Sequence, residues 1–465
     1  VADPLWTAQE IVSAVGGRLA GTEFAATGVS IDTRTLERGD LFVALAGVRD
    51  GHEFVEQAMA AGAAGAITTR PMGQACIVVE DTLKALEKLG DAARERAPRA
   101  RRGAVTGSVG KTSVTQAVRV GLALAGPSHS SVKSYNNHIG VPLTLARMPR
   151  DTRRAIFEIG MNHADEIIPL SRMVRPHAAA VTTVGPVHTE NFLDGEAGVA
   201  RAKAEIFAGL EPGGVAVLNA DNVWFDLLRN AARSAGAEVR TFGSGPDADA
   251  ALIDFRVEEG GAVVEARLRG RKLVFPILQT GFHWGMNSLC VLLMLEALDV
   301  GLDDGLRALA VFEPLEGRGA ERAVHLPGGD FTLIDESYNA NPISMASAIA
   351  SLGARRAGGR RIVALTDMLE LGADAGRFHA GLAEPLERAG IDLAFCAGPL
   401  MKSLWNALPP TRRGGYAETA AELAPQVVRA AEPGDVVMVK GSNGSKAGAV
   451  AAALLALDSP AGAAG

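Results

Sequence analysis

Short apolar runs bounded by turn residues alternate along the chain with segments of helical period. Residues 40–45 and 76–79 read as strands and 54–61 as a helix between them, so the chain opens on a small α/β module. An amphipathic stretch over 83–97 and basic residues at 99–102 lead into an apolar strand that ends at Thr106. From there to about residue 312 strand, loop and helix repeat, and the runs 155–159, 178–184 and 215–218 read as parallel strands buried on both faces. This predicts a central doubly wound module with a mainly parallel sheet, carrying a β-rich insertion over 251–275. Beyond Glu313 and Pro314, runs at 331–335, 361–367 and 436–440 each stop at a polar residue before a helical pattern, which predicts a Rossmann-like last module. The boundaries read as 1–81, 82–313 and 314–465. Ligands in open α/β sheets sit outside the carboxyl ends of the strands, so Asp335, Asp367 and Lys440 are expected to gather on one edge. The tail over 459–465 has only small residues and is expected to fray.

The length of 465 residues suits about three domains of ordinary size. Hydrophobic residues at 48% and charged residues at 21% exclude a wholly disordered chain. Lys plus Arg is 46 against Asp plus Glu 53, a net charge of -7, so no general basic field favours nucleic acid. No apolar run reaches the ~20 residues of a membrane span; the richest, 284–295, is followed at once by Glu296. The first ten residues lack a basic region followed by an apolar one, and Cys76, Cys290 and Cys396 lie far apart. A soluble, cytoplasmic monomer is expected, its cysteines acting as small core residues.

The sharpest local signal is Thr106, Gly107, Ser108, Val109, Gly110, Lys111, Thr112 and Ser113, set between an apolar strand and the helical run 114–124. Glycines there let backbone N–H groups close around phosphate, Lys111 neutralises charge, and the Thr112 hydroxyl can hold Mg²⁺. The common form of such a loop has a glycine five positions before Gly110; here that position is Val105. Hard oxygen donors at strand ends are the places to seek metal ligands. Glu158 ends the run 155–159, His188 follows the turn Gly185-Pro186, and Lys203 sits on the next helical run. Spacing leaves each open to a plainer reading: a strand-end charge, a hydrogen-bonded loop histidine and a solvated helix lysine.

Taken in order, the loop 106–112, Glu158, His188 with Glu190, Ala202-Lys203-Ala204-Glu205, and His283 with Asn287 resemble the ATP-dependent muramyl ligases of bacterial cell-wall synthesis, over nearly the whole chain. The runs 136–144 and 335–342, with 367–372 and Lys440-Gly441-Ser442, are similar to those of the member that adds D-alanyl-D-alanine. The Asp-Asn-Pro-Arg signature of the member that adds the third peptide residue is absent. The resemblance implies three domains: one for a uridine nucleotide, a central ATPase, and a last domain that closes with the amino substrate. It implies ligation of D-alanyl-D-alanine to UDP-N-acetylmuramoyl-tripeptide through an acyl phosphate, with ATP, two Mg²⁺ ions and a carbamate on Lys203 as the cofactors.

The resemblance also implies roles. Lys111, Glu158, His188 and Lys203 form the catalytic set, and Thr112, Glu158, His188 and the Lys203 carbamate hold two Mg²⁺ ions. Gly107 to Ser113, Asn287, Arg318, Asp335, Tyr338 and Asn339 bind ATP; Thr33, Arg34, Asn136, Asn137, Thr144 and Lys440 bind the other substrates. An unmodified Lys203 ammonium would repel Mg²⁺, whereas a carbamate offers two hard oxygens. Trp284 stands where the family often has Asn, so the adenine-side contact made there is expected to be absent or replaced by stacking. Asp165 stands where glycine is common. A folate polyglutamate ligase shares the loop and carbamate chemistry, but the uridine-like first module argues against it; a nucleotide-gated switch would hydrolyse ATP without two acceptor substrates.

Overall fold

The computed structural model describes residues 3–458 apart from 48, 74, 133, 188, 259 and 356. The candidate ligand His188 and the tail 459–465 therefore lie outside the described residues.

Three mostly parallel sheets follow one another along the chain. The first has the strand order Arg18–Gly21, Ala75–Val78, Gly65–Thr68, Asp40–Val43, Gly28–Ser30, with only the first pair antiparallel. The second runs Ser128–Ser130, Arg154–Glu158, Arg101–Thr106, Ala178–Val181, Val215–Asn219, Glu238–Gly243 and Ala250–Glu258 in parallel. The predicted insertion continues that sheet as an antiparallel meander, Ala250–Glu258, Gly261–Leu268 and Arg271–Ile277. In the third sheet the order is Ala320–Leu326, Gly329–Glu336, Val436–Lys440, Arg361–Thr366, Leu393–Ala397, Arg413–Ala417, antiparallel only at the first pair.

Strand alternation explains how the central sheet is covered. Val105, Ile156, Ala178, Ala180, Val215 and Val217 face the helices Lys111–Leu124 and His283–Ala297. Their neighbours Ala104, Ala155, Phe157, Ala179, Val181, Ala216 and Leu218 face the helices Gly140–Ala146, Ile167–Val174, Glu196–Ala204 and Phe225–Ser234. Both faces are dry, which is why apolar residues fill successive positions in the middle of these strands.

Three boundaries differ from the sequence pattern. The helix predicted over 54–61 is a 3-10 turn, Gly51–Phe54, followed by Val55–Ala60. The strand predicted over 178–184 leaves its ladder after Val181, because the next residues bond to the glycine loop instead: Thr182 N–H to the Thr106 carbonyl at 3.0 Å, and Ser108 N–H to the Thr183 carbonyl at 2.8 Å. Asp81 is the N-cap of the helix Thr82–Glu95, accepting from the N–H groups of Leu83 and Lys84. That helix buries Ala85, Leu86, Leu89 and Ala93 against Trp6, Ile11 and Leu41, in one core with Leu143 and Ala146.

Candidate functional site

The strand Arg101–Thr106 delivers the glycine loop to the start of the helix Lys111–Leu124. Gly107 has φ 149° and passes so close to Thr182 that a Cβ there would lie 1.9 Å from its hydroxyl; Gly110, at φ 84°, forms the helix N-cap. Both positions need a residue without a side chain. Val105, the position that departs from the longer glycine loop, is a buried strand residue paired with Glu158 and Ala180, so the loop is shorter by construction. Lys111 folds back over the loop, its Nζ donating to the Gly107 carbonyl at 2.6 Å. Burial lowers the Lys111 pKa, Glu158 opposes that shift, and Arg318 adds to it. Thr112 Oγ1 lies 2.9 Å from Ser134 Oγ.

Glu158 ends the strand beside the loop strand, is 2% exposed, and accepts from Asn136 Nδ2 at 2.8 Å. Lys203 is also buried and makes no hydrogen bond or ion pair among the described residues. Its pKa falls well below the ordinary lysine value, through desolvation first and repulsion from Lys111 second. Its neighbour Glu205 is a structural group, accepting from the N–H groups of Asp165 and Ile167 at 2.7 and 3.1 Å. Asp165 has φ 65°, the left-handed region in which aspartate substitutes for glycine at modest strain.

These groups open onto a cavity of about 530 Å³ between the central and last modules. From the central side it is lined by the loop residues Ser108 to Ser113, Asn136, Glu158 and Asn287; from the last module come Arg318, Tyr338, Asn339 and Lys440. Asn287 Nδ2 is buried without a hydrogen-bond partner, an orphan donor beside the glycine loop. The Arg318 guanidinium lies 4.1 Å from the Tyr338 ring centroid. Lys440 Nζ donates to Glu336 Oε2 at 3.2 Å and to the Asn339 carbonyl at 3.0 Å.

Several candidates lie elsewhere. Asp335, Asp367 and Lys440 do end adjacent strands on one edge, but only Lys440 lines the cavity. Side chains alternate along a strand, so Glu336, not Asp335, faces inward; the Asp335 carboxylate accepts from Ser337 N–H at 3.0 Å. Asp367 is spent on the turn at 400–401, accepting from Met401 N–H at 2.8 Å and Leu400 N–H at 3.3 Å. Of the asparagine pair, Asn136 reaches Glu158, whereas Asn137 caps the following turn, accepting from Ile139 and Gly140 N–H. Thr144 is inside the helix Gly140–Ala146, its hydroxyl donating to the Gly140 carbonyl at 2.8 Å. Thr33 and Arg34 sit in the first module away from this cavity, with Arg34 paired to Asp32 at 2.6 Å. Gly107 contributes its carbonyl to Lys111 rather than a wall, and Lys203 lies behind the lining.

Trp284 lies off the cavity, in keeping with a missing contact there and not with base stacking. Helical spacing places His283, Met286 and Asn287 on the cavity, while Trp284 turns into the core, 3% exposed and 5.4 Å from the Phe312 ring centroid. Glu336, Ser134, Phe242 and Ile343 line the cavity without having been singled out. Only Glu336 had a signal, as the neighbour of Asp335 at a strand end; the others meet through tertiary packing.

Residues 105–295 match the family described as "Mur ligase middle domain" and 322–443 that described as "Mur ligase, glutamate ligase domain". A UDP-N-acetylmuramoyl-tripeptide–D-alanyl-D-alanine ligase of Bacillus subtilis (strain 168) is 33% identical over 453 residues, covering 95% of this chain and 96% of the relative. The chain belongs to the Mur ligase family. A Mur ligase of the same description from Escherichia coli (strain K12) is 33% identical, covering 84% of this chain and 86% of its own. The three-domain Mur ligase architecture is seen in a crystal structure of MurF from Acinetobacter baumannii, with a TM-score of 0.84, 28% identity and coverage of 97% and 99%. Among the described residues no helix is long and apolar enough to cross a membrane.

Proposed function

We propose that this Mur ligase joins D-alanyl-D-alanine to UDP-N-acetylmuramoyl-tripeptide in the cytoplasm, converting ATP to ADP and phosphate. The modules at 1–81, 82–313 and 314–465 then serve the uridine nucleotide, ATP and the amino substrate. The observation that carries the reading is the two-sided cavity, in which Lys111, Glu158 and the glycine loop face Arg318 and Lys440. Relatives named for this reaction align with the chain almost end to end.

A carboxylate does not condense with an amine in water until one of its oxygens becomes a leaving group. Attack of the peptide carboxylate on the γ-phosphorus releases ADP and leaves an acyl phosphate; attack of the neutral dipeptide amine on the acyl carbon then expels phosphate. In this scheme Lys111, Arg318 and the loop N–H groups offset charge on the transferring phosphoryl group, so catalysis is largely positioning and electrostatics. The orphan Asn287 Nδ2 suits a contact with the nucleotide base. Tyr338 and Asn339 close its far side, and Asn136 steadies Glu158.

The donors present fit Mg²⁺. No group of three His, Cys, Asp or Glu converges among the described residues, but Mg²⁺ commonly takes one or two protein oxygens and completes its shell with phosphate and water. Thr112 and Glu158 supply such oxygens, and His188 and a carbamate on Lys203 complete the proposed set for two ions. The ion supplies charge neutralisation on the phosphates. Burial disfavours the charged form of the Lys203 amine, and the neutral form is the one that adds CO₂ with loss of a proton. Mass analysis of a reaction containing ATP, Mg²⁺, UDP-N-acetylmuramoyl-tripeptide and D-alanyl-D-alanine tests the function: the pentapeptide product and one ADP per bond are expected. ADP release that is indifferent to the dipeptide, with no ligated product, overturns it.

A further inference from the structure

Arg318 stands between Gly317 at φ 68° and Gly319 at φ 92°, in the connection between the central and last modules. A residue flanked by two glycines has little local restraint of its own. Besides the bond within the turn from Arg318 N–H to the Leu315 carbonyl at 2.9 Å, two backbone bonds anchor it: Tyr338 N–H to the Gly317 carbonyl at 3.0 Å and Gly319 N–H to the Asp335 carbonyl at 2.8 Å. Both belong to the last module, so they tie Arg318 to that module and not to the glycine loop it must face.

A side-chain cluster two residues further on crosses between the modules. Arg355, just past the helix Pro342–Gly353, is 12% exposed and grips both oxygens of Glu321, with Nη1 to Oε2 at 2.8 Å. Arg355 Nη2 also donates to Thr280 Oγ1, and that hydroxyl donates in turn to Glu321 Oε1. The donor and acceptor roles therefore close a ring of three groups, one from the central module and two from the last. Thr280 precedes the helix His283–Ala297, which carries the cavity residues His283 and Asn287. A second bond spans the same seam, from Phe282 N–H to Ser351 Oγ at 3.1 Å.

We propose that Thr280, Glu321 and Arg355 are the pivot on which the last module hangs, and that Arg355 is a positioning residue for Arg318. The pivot fixes the start of the strand Ala320–Leu326 relative to Asn287, and so fixes how far the glycine-flanked Arg318 reaches into the cavity. Arg355 lines only the small adjoining crevice and touches no part of the main cavity. The proposal rests on the reading of that cavity as the nucleotide site.

The test is epistasis in the full-length protein, with binding of a non-hydrolysable ATP analogue and Mg²⁺ measured by calorimetry. Arg318→Ala and Arg355→Ala are each expected to weaken binding by about tenfold, the scale of coupling between contacting groups, and the double variant to be no weaker than Arg318→Ala alone. The KM for UDP-N-acetylmuramoyl-tripeptide should stay unchanged in Arg355→Ala, which a general loss of structure would not allow. Should Arg355→Ala unfold, Thr280→Val removes the shared hydroxyl at nearly constant volume, and its smaller weakening must likewise vanish in the Arg318→Ala background. Additive losses in either double variant, or wild-type binding by folded Arg355→Ala, overturn the pivot while leaving the nucleotide site standing. Wild-type binding by Arg318→Ala overturns the nucleotide reading of the cavity and the pivot with it.

Discussion

Lys111 is half-buried and Lys203 buried, and loss of water lowers the pKa of each, but their surroundings differ. Lys111 has the Glu158 carboxylate to hold its charge and lines the cavity, where the proposed function needs a phosphate ligand. Lys203 has no opposing carboxylate, and both its burial and the repulsion of Lys111 disfavour the cation. Lys111→Ala should therefore fold, since its one hydrogen bond goes to the Gly107 carbonyl, yet form ADP at least about a hundredfold more slowly, the ~3 kcal/mol of a lost transition-state contact. Near-normal ADP release from the folded variant would remove Lys111 from the site. Lys203→Ala should be folded and nearly inactive, and a small added carboxylic acid should restore part of the turnover by supplying the missing oxygens. Wild-type turnover of this variant at low bicarbonate would eliminate the carbamate.

At the scale of elements, backbone demands claimed several polar residues that looked functional. Asn137, Asp335, Asp367 and Glu205 each accept from backbone N–H groups at a turn or helix start, which leaves Asn136, Glu336 and Lys440 for the cavity. Two histidines do similar structural duty beside the central sheet. His129 donates from Nε2 to the Thr144 carbonyl, and His177 Nδ1 accepts from Arg102 N–H. Burial, with Arg102 adding to it at His177, pushes both pKa values down to about 4. A folded-state pKa below the unfolded value means that the unfolded chain takes up the proton first, so stability falls as pH drops from about 6.5 toward about 4. Urea unfolding should show a loss on the order of 1–2 kcal/mol per histidine between about pH 7 and about pH 5, and His177→Gln should flatten the slope. A slope unchanged in that variant would show that His177 titrates normally.

The two seams between modules are built differently. The first and central modules share one apolar core, and Trp6 Nε1 donates to the Ala146 carbonyl at 2.8 Å from within it. Arg96 covers the Trp6 ring at 3.5 Å and bonds the Leu5 and Met148 carbonyls. Sliding along that seam would expose apolar surface, which water opposes. The central and last modules instead meet around a polar cavity, where bound substrates can replace the contacts that opening breaks. The last module is thus the one expected to move, and solution scattering should give smaller dimensions with ATP analogue and UDP-substrate together than without them. Identical profiles in the two conditions would count against closure.

The three sheets, the glycine loop, Glu158 and Lys440 were all legible in the sequence, because strand ends and phosphate loops are set by local rules: alternation, turn chemistry and a helix start. The same local rules did not show that Asp335 lies off the cavity or which way Trp284 turns. The strand at 329–336 was recognisable, but which of two adjacent acids faces the ligand depends on the sheet face turned to the central module. In the helix His283–Ala297 nearly every position is apolar, so its pattern does not say which side is core; contact with Phe312 decides that Trp284 turns inward. The lowered pKa of Lys203 and the Thr280–Glu321–Arg355 ring have no local signature, since both arise from groups far apart in the chain whose desolvation and charge act only once the modules have packed together.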